Sequence, residues 1–203
     1  MLQEADSSIM HSIIFMRKPI LIIVIAAMVS ACGNAETENN AALPQNSQSS
    51  DTSKKSIPSV VKKFVGNTNI KINYNAPAVR GRQIWGALVP YDKVWVTGAH
   101  NATTLEIGKP FMIGGKTIPA GKYAIFTIPG KDEWTVILNK NWDQHLADEY
   151  SAAQDVVRIK VKPLQNEQVT ERLKYEIDQR GERLADIIIH WEKLRVPFLI
   201  EIR

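Results

Sequence analysis

The residues best suited to binding chemistry are concentrated in one stretch, residues 75–101, which reads NAPAVRGRQIWGALVPYDKVWVTGAHN. Aromatic rings offer flat apolar faces, while arginine, histidine and asparagine side chains offer oriented hydrogen bonds, so this combination is typical of a site for a sugar or an aromatic ligand. The candidate ligand-binding residues are Arg80, Arg82, Trp85, Trp95, His100 and Asn101. The alternative is structural, because the tryptophans of β-sandwiches are usually core residues and Arg82 would then bond buried carbonyl groups.

No catalytic or metal-binding motif accompanies these residues. The histidines beyond the N-terminal leader are His100, His145 and His190, and none has a second histidine or a cysteine at a spacing typical of zinc ligands. The sequence also has no nucleophile elbow, phosphate-binding loop or dinucleotide fingerprint. We therefore assign no catalytic residue and expect no metal and no cofactor. The enzyme alternative is a hydrolase that uses His100 with an acidic partner from elsewhere in the fold.

The distribution of charge argues against a nucleic-acid partner. The formal net charge is +4, and basic residues alternate with acidic ones along the chain without a run of four like charges. A protein that binds the phosphate backbone would cluster its basic residues on one face or in one segment. We therefore expect an ordinary solvated surface and no binding of nucleic acid.

The N-terminal segment has the pattern of a targeting signal. Residues 20–29, ILIIVIAAMV, form an apolar stretch preceded by Arg17 and Lys18, which matches the core and the positive start of a secretory signal peptide. This stretch is shorter than the roughly 20 residues that a helix needs to span a bilayer. The next residues, VSAC at 29–32, resemble the lipobox of bacterial lipoproteins. The resemblance implies a diacylglyceryl group on the thiol of Cys32, cleavage before Cys32, and acylation of its new amino group. Two or more acyl chains give stable anchoring.

We divide the chain into three parts. Residues 1–31 are the signal peptide, residues 32–57 are the lipidated cysteine and a flexible linker, and residues 58–203 are the folded domain. The linker is rich in Asn, Gln, Ser and Ala, and it cannot bury enough apolar surface to offset the entropy of ordering. Gly33 follows the cysteine instead of the Asp that retains some lipoproteins at the inner membrane. We therefore expect a cell-envelope protein held in the outer membrane by the lipid on Cys32.

The sequence from Ile70 onward has the pattern of short antiparallel strands. Alternating or apolar runs bounded by turn residues predict strands at 70–74, 103–108, 111–113, 116–118, 122–128, 134–139, 156–162, 172–178, 184–191 and 195–202. Gly114-Gly115 is the signature of a tight hairpin turn, and Glu192–Leu194 is expected to turn between the last two strands. These spacings predict an all-β, antiparallel β-sandwich of the jelly-roll or Ig-like type.

Three finer expectations follow from the same patterns. Asn141–Tyr150, extended at most to Gln154, is predicted to form one short helix or lid. His190 is expected to be a surface histidine, because Ile187, Ile189 and Trp191 share the other face of its strand. The terminal strand, rich in Val, Ile, Leu and Phe, is expected to be central, although Pro197 indicates an edge position near its start.

A set of motifs in the domain resembles a known family. They are Pro77-x-x-Arg80-Gly81-Arg82, Leu88-Val89-Pro90-Tyr91, Val94-Trp95, Thr97-Gly98-Ala99, Thr103-Thr104, Gly115-Lys116, Pro119-Ala120-Gly121-x-Tyr123, Phe126-x-Ile128-Pro129, Glu133-Trp134-x-x-Ile137 and Asp155-Val156-x-Arg158. Over nearly all of residues 58–203 the chain resembles a family of mainly Bacteroidetes envelope proteins catalogued as a domain of unknown function (DUF2911). The resemblance implies a β-sandwich in the envelope and supplies no reaction. Val96 stands where Arg is common in the family, and His100 where Asn is common, so a shared ligand contact would be altered here.

Three functions remain open, and each makes a different structural demand. An envelope binding module for a glycan, a peptide or an envelope protein ranks first, and it needs Arg82, Trp95, His100 and Asn101 beside a concavity. A structural or assembly lipoprotein ranks second and predicts a flat surface without a pocket. The hydrolase ranks third and needs His100 and an Asp or Glu in one pocket.

The leader itself generates a prediction about the start of translation. Residues 1–15 contain the acidic Glu4 and Asp6, which are unusual before the apolar core of a signal peptide, whereas Met16-Arg17-Lys18 is a typical beginning. We expect translation to start at Met16. Mass spectrometry of the uncleaved precursor should find no residue upstream of Met16, and peptides from residues 1–15 would contradict this expectation.

Overall fold

The computed structural model describes residues 55–203, which form ten β-strands and one 3-10 turn at Ala152–Gln154. The strands are β1 (Ile57–Val65), β2 (Thr68–Ala76), β3 (Thr103–Ile107), β4 (Phe111–Ile113), β5 (Lys116–Ile118), β6 (Gly121–Ile128), β7 (Trp134–Asn139), β8 (Asp155–Val161), β9 (Leu164–Gln179) and β10 (Leu184–Ile202). The predicted signal peptide, Cys32 and the linker up to residue 54 lie outside the described residues. Within residues 55–203, no helix has the length and apolar character that crossing a membrane requires.

The strands form two antiparallel sheets, so the predicted all-β sandwich is confirmed. One sheet has six strands in the order β1-β2-β3-β6-β7-β8, and the other has four in the order β5-β4-β10-β9. The β4–β5 hairpin leaves the first sheet and joins the second, and β6 returns to the first. Gly114 and Gly115 connect this hairpin with φ angles of +56° and +78°. Two consecutive positive φ angles are what a two-residue hairpin turn of the expected kind demands.

The main core lies between the two sheets and follows from the two-residue period of the strands. Side chains that alternate along a strand point to opposite faces, so one face of each strand is apolar. Ile70 and Ile72 of β2, Trp134 of β7, and Ile187 and Trp191 of β10 all face this core and are at most 1% exposed. Burial of these large side chains supplies the main stabilisation of the fold.

The outer face of the six-stranded sheet carries a second, smaller apolar cluster. Ala124 and Phe126 of β6 and Ile137 of β7 point away from the main core and pack with Val96 and Ala102. This explains why β6 and β7 read as nearly unbroken apolar runs, since strands covered on both faces lose the alternation of polar and apolar residues. The covering residues come from the end of the segment between β2 and β3 and from the segment after β7, which contributes Ala147 and Tyr150.

Within the segment predicted to form a short helix or lid, Asn141–Tyr150 consists of turns and irregular backbone, and the helical part is the 3-10 turn at Ala152–Gln154. Polar side chains hold the segment instead. The Asp155 carboxylate accepts hydrogen bonds from the Tyr150 hydroxyl and from the Asn139 amide, each at 2.7 Å. Burial, followed by the hydrogen bond to Asp155, raises the pKa of Tyr150 to about 12.

The expected turn at Glu192–Leu194 is also wrong. β10 is continuous, and its pairing with β9 is interrupted there by two register shifts. Glu192 adopts a φ of +54°, which is the kind of local irregularity that a β-bulge introduces. Pro197 lies between the residues that pair with β9, which end at Arg195, and those that pair with β4, which begin at Glu201. The missing N–H of Pro197 therefore interrupts no ladder hydrogen bond.

His190 is buried, with 9% of its surface exposed, so the expectation of a surface histidine is wrong. It does point away from the main core, but neighbouring side chains on the outer face of the four-stranded sheet cover it. Its Nε2 lies 3.0 Å from the Glu176 carboxylate without hydrogen-bonding geometry. Burial, reinforced by the charge of Lys174, lowers the pKa of His190 below its usual value of 6.5, although Glu176 partly opposes the shift.

This burial generates a prediction about acid stability. A histidine with a lowered pKa in the folded state stabilises the fold fully above its unfolded pKa, and the contribution is lost as the pH falls through the folded value. We expect wild type to exceed His190→Gln in free energy of unfolding by more at pH 8 than at pH 5. Urea denaturation at both pH values measures this difference. His145→Gln, at an exposed histidine, is the control, and an equal difference at both pH values for His190→Gln would contradict the assignment.

Candidate functional site

A cavity of about 340 Å³ lies where the segment after β2 folds against β10. Its apolar lining includes the rings of Trp95 and Trp191. Its charged or titratable lining consists of Lys55, Arg80, Arg82 and His100. The cavity therefore combines flat aromatic surface with several basic groups.

Four tryptophans from separate parts of the chain meet beside the cavity. Trp95 stacks on Trp191 with ring centroids 5.6 Å apart and an angle of 20° between the rings. Trp85 meets Trp95, Trp134 and Trp191 edge-on at 4.9–5.9 Å. Aromatic pairs in such arrangements add stability beyond their burial. Trp85 is packed into this cluster rather than lining the cavity, so the structural interpretation fits this residue.

The guanidinium of Arg82 is fixed in the wall of the cavity. Its Nε donates to the carbonyl of Val79 at 3.1 Å, and its Nη2 donates to the carbonyl of Ala78 at 2.6 Å. Two of the N–H donors of Arg82 therefore have the structural role expected in the alternative interpretation, because they bond carbonyl groups. The same side chain still lines the cavity and brings a positive charge to it.

The backbone around the cavity is strained at several non-glycine residues. Arg80, His100 and Leu146 line the cavity with φ angles of +51°, +59° and +50°, and Thr97 beside them has +53°. A residue in such a conformation costs about 1–3 kcal/mol and persists only where its surroundings fix it. Strained residues of this kind cluster at functional sites, so their presence supports a role for the cavity.

Thr97 is the residue whose surroundings fix this segment most completely. It is fully buried, and its hydroxyl donates to the carbonyl of Trp95 at 3.1 Å and shares a hydrogen bond with the Thr127 hydroxyl at 3.0 Å. The Thr97 carbonyl accepts from the Thr103 hydroxyl at 3.0 Å and from the Tyr175 hydroxyl at 2.9 Å. The residue is thereby tied to β3 and β6 of one sheet and to β9 of the other. We call this group the Thr97 junction.

The next residue, Gly98, shows how tightly the Thr97 junction is packed. A β-carbon added at Gly98 would lie 2.8 Å from the Thr103 hydroxyl oxygen and 3.2 Å from the backbone oxygen of Asn75. Only glycine therefore fits at this position. The Gly98 carbonyl also accepts the indole N–H of Trp95 at 3.1 Å, which fixes the aromatic lining of the cavity.

The six candidate binding residues do not form one site. Arg80, Arg82, Trp95 and His100 line the cavity. Asn101 is exposed and lines a separate open groove of about 660 Å³ on the outer face of the six-stranded sheet. His100 and Asn101 are therefore adjacent in the sequence but line two different concavities.

Sequence comparison assigns this domain to a protein family. The profile of the family described as "Protein of unknown function (DUF2911)" matches residues 56–200. The chain belongs to the DUF2911 family. A second match, to a prokaryotic membrane lipoprotein lipid attachment site, covers residues 16–32 and ends at the cysteine. This DUF2911 protein is therefore a lipid-anchored envelope lipoprotein. Neither a curated protein nor a solved structure matches the chain.

The DUF2911 cavity does not bring His100 together with a carboxylate. Among its lining residues there is no Asp or Glu. The ring of His100 lies 6.5 Å from that of His145, whose Nδ1 is 3.8 Å from Asp148, and both histidines are exposed. Residues 55–203 also contain no group of three or more side chains that could hold a metal ion. The arrangement is equipped for hydrogen bonding, charge attraction and stacking, and it lacks the acid–base pair that the hydrolase hypothesis requires.

Sequence reasoning missed several residues that line the DUF2911 cavity. Leu88 lies within the Leu88-Val89-Pro90-Tyr91 motif, which indicated a role common to the family. Trp191 follows the apolar alternation of its strand, which indicated a core residue. Lys55, Ser56 and Leu146 carried no such signal. They reach the cavity only through tertiary contacts, such as the bond from the Leu146 N–H to the His100 carbonyl at 2.7 Å.

The Thr97 junction generates a prediction about stability. Thr97→Val keeps the shape of the side chain but removes its hydroxyl, and it leaves the buried hydroxyl of Thr127 without this partner. We expect a loss of about 1–3 kcal/mol in the free energy of unfolding, measured by urea denaturation, because a buried polar group loses its hydrogen bond. Thr117→Val on the exposed face of β5 is the control and should change stability by less than about 0.5 kcal/mol. Equal effects of the two substitutions would contradict the role of the junction.

Proposed function

We propose that this protein is a binding module of the cell envelope, in which the cavity holds a glycan, a peptide or part of an envelope protein. The observation that supports this most directly is the convergence of Arg80, Arg82, Trp95 and His100 on one cavity. These residues are separated by up to 20 positions in the sequence. The hydrogen bonds of the Thr97 junction fix the part of the segment that carries Trp95 and His100.

The size and the lining of the cavity suit a small ligand or the terminal group of a larger one. A volume of about 340 Å³ lies near the lower end of the roughly 300–1,000 Å³ that ligand pockets occupy. Such pockets are mostly apolar with a few oriented polar groups, and the stacked Trp95 and Trp191 beside Arg82 follow this composition.

The anchor determines where the ligand must be found. We propose that the lipid is carried by Cys32, that residues 1–31 are removed, and that the domain of residues 58–203 is held at the outer membrane. Lys55, on the rim of the cavity, is 23 residues after Cys32. A fully extended chain of that length spans at most roughly 80 Å, so the cavity cannot act farther than this from the bilayer.

The other two hypotheses receive less support. A purely structural lipoprotein requires no pocket, whereas this domain maintains a cavity at the cost of strained backbone at Arg80, His100 and Leu146. A hydrolase needs a carboxylate near His100, and the lining offers none. Binding is therefore the function that the geometry favours.

A melting experiment with defined envelope components tests this proposal. Peptidoglycan fragments, lipopolysaccharide core oligosaccharides and short peptides are added to the intact chain, and the melting temperature is measured. We expect at least one class to raise it, since a ligand that binds only the folded state stabilises that state. Leu88→Asp, which places a charge on an exposed apolar wall of the cavity, should abolish the shift. Leu199→Asp, at an exposed leucine outside this cavity, is the matched control.

The outcomes are distinct. A shift that survives Leu88→Asp would place binding outside the cavity and contradict the proposal. The absence of a shift with every class would favour a structural role.

A further inference from the structure

All the ionisable side chains that line the cavity are basic. Its ionisable side chains are Lys55, Arg80, Arg82 and His100, and no carboxylate lines it. The Glu171 carboxylate approaches from outside the lining and accepts the backbone N–H of Arg80 at 2.9 Å. Several basic groups around one small volume favour an anion within it, because opposite charges attract.

Arg82 is prepared to bind an anion. A guanidinium has five N–H donors, and the carbonyls of Val79 and Ala78 take two of those of Arg82. Three donors remain in a fixed plane, and this fork matches the oxygens of a carboxylate or a phosphate. Because the side chain is already held by two hydrogen bonds, little conformational entropy is lost when it binds.

The remainder of the lining is suited to a flat apolar group. The ring of Trp95 stacks on that of Trp191, and both line the cavity. Trp191 is only 1% exposed, and its indole N–H has no acceptor among residues 55–203.

We propose that the ligand of this cavity is an organic anion, in which a carboxylate or phosphate group is attached to a flat apolar body such as an aromatic ring. The anionic group binds Arg82, Arg80 and His100, and the flat body packs against Trp95. This inference rests on the proposed binding function and narrows its ligand class.

The same lining disfavours a neutral sugar. Each sugar hydroxyl both donates and accepts hydrogen bonds, so a sugar site needs acceptors as well as donors. Among the lining side chains, only the Ser56 hydroxyl and a neutral His100 can accept. A neutral sugar in this cavity would leave most of its hydroxyl protons without a side-chain partner.

A matched pair of fluorinated probes tests the inference. 4-Fluorobenzoate and 4-fluorobenzamide have the same ring and nearly the same shape, and they differ in charge. Fluorine-19 NMR line broadening with the intact chain in nanodiscs gives the affinity of each, and empty nanodiscs give the background. We expect 4-fluorobenzoate, or 4-fluorophenyl phosphate as the phosphate counterpart, to bind at least roughly tenfold more tightly than the amide, since charge-assisted hydrogen bonds are about twice as strong as neutral ones. Raising the salt concentration should weaken the binding of the anions.

Two variants locate the binding, one at a residue of the cavity lining and one at a charged residue outside it. His100→Asn retains a residue type that tolerates a positive φ, and it should reduce the affinity for 4-fluorobenzoate about three- to tenfold. Lys63→Gln removes one positive charge from the exposed face of β1, which does not line the cavity, and it should leave the affinity unchanged. Equal losses in both variants would mean that general attraction, and not the cavity, binds the anion, and would overturn the inference.

The remaining outcomes separate this inference from the proposed function. Equal affinity for the benzoate and the benzamide, lost in both cases with Leu88→Asp, would overturn the anion requirement and leave the binding function intact. If no anionic probe binds while an envelope glycan or peptide shifts the melting temperature, the inference is wrong and the proposed function stands. If neither the probes nor any envelope component binds, both are wrong.

Discussion

The arrangement of the cavity depends on one buried residue held in an unfavourable conformation. A β-branched residue rarely adopts a positive φ, because its side chain crowds the backbone. Thr97 does so because Trp95, Thr103, Thr127 and Tyr175 all hydrogen-bond to it. Each net hydrogen bond contributes roughly 1 kcal/mol, so the group together offsets strain of about 1–3 kcal/mol. Through this one residue the segment between β2 and β3 is hydrogen-bonded to both sheets.

The position of Thr97 in the sequence explains why aromatic and basic side chains line the same cavity. Trp95 lies two residues before Thr97 and packs on Trp191, which brings the main core to the edge of the cavity. His100 lies three residues after Thr97 and faces the same volume as Arg82, whose own position is set by carbonyls of its preceding turn. Hydrophobic packing therefore builds one side of the cavity, and polar contacts that satisfy backbone groups build the other.

Sequence patterns predicted the parts of the fold in which a local signal and the tertiary environment agree. The β4–β5 hairpin follows from its two glycines, and β6 and β7 follow from their apolar runs. β1 was missed, since Val60 and Phe64 are 54% and 61% exposed and the strand lacks a clean alternation. The bulge at Glu192 was mistaken for a turn, because a local interruption of the pattern looks the same in both cases.

The sequence predicted which residue types form the candidate site, but it did not predict which of those residues line the same cavity. Basic and aromatic residues in one segment indicated binding chemistry, yet adjacent His100 and Asn101 serve different concavities. No residue pattern indicates which concavity each of these two side chains lines. Lys55 and Trp191, far from the segment in sequence, reach the cavity through contacts that exist only in the folded chain.

An organic anion that binds in the cavity would pack against Trp95. Protein-detected NMR of the intact chain with 4-fluorobenzoate tests it most directly, because the indole N–H of each tryptophan gives its own signal. We expect the largest shifts at the indole N–H groups of Trp191 and Trp95 and at the backbone amides of Ala99 and His100. Shifts at the indole of Trp142 and the side-chain amide of Asn73, in the open groove, would contradict it, as would the absence of any saturable shift.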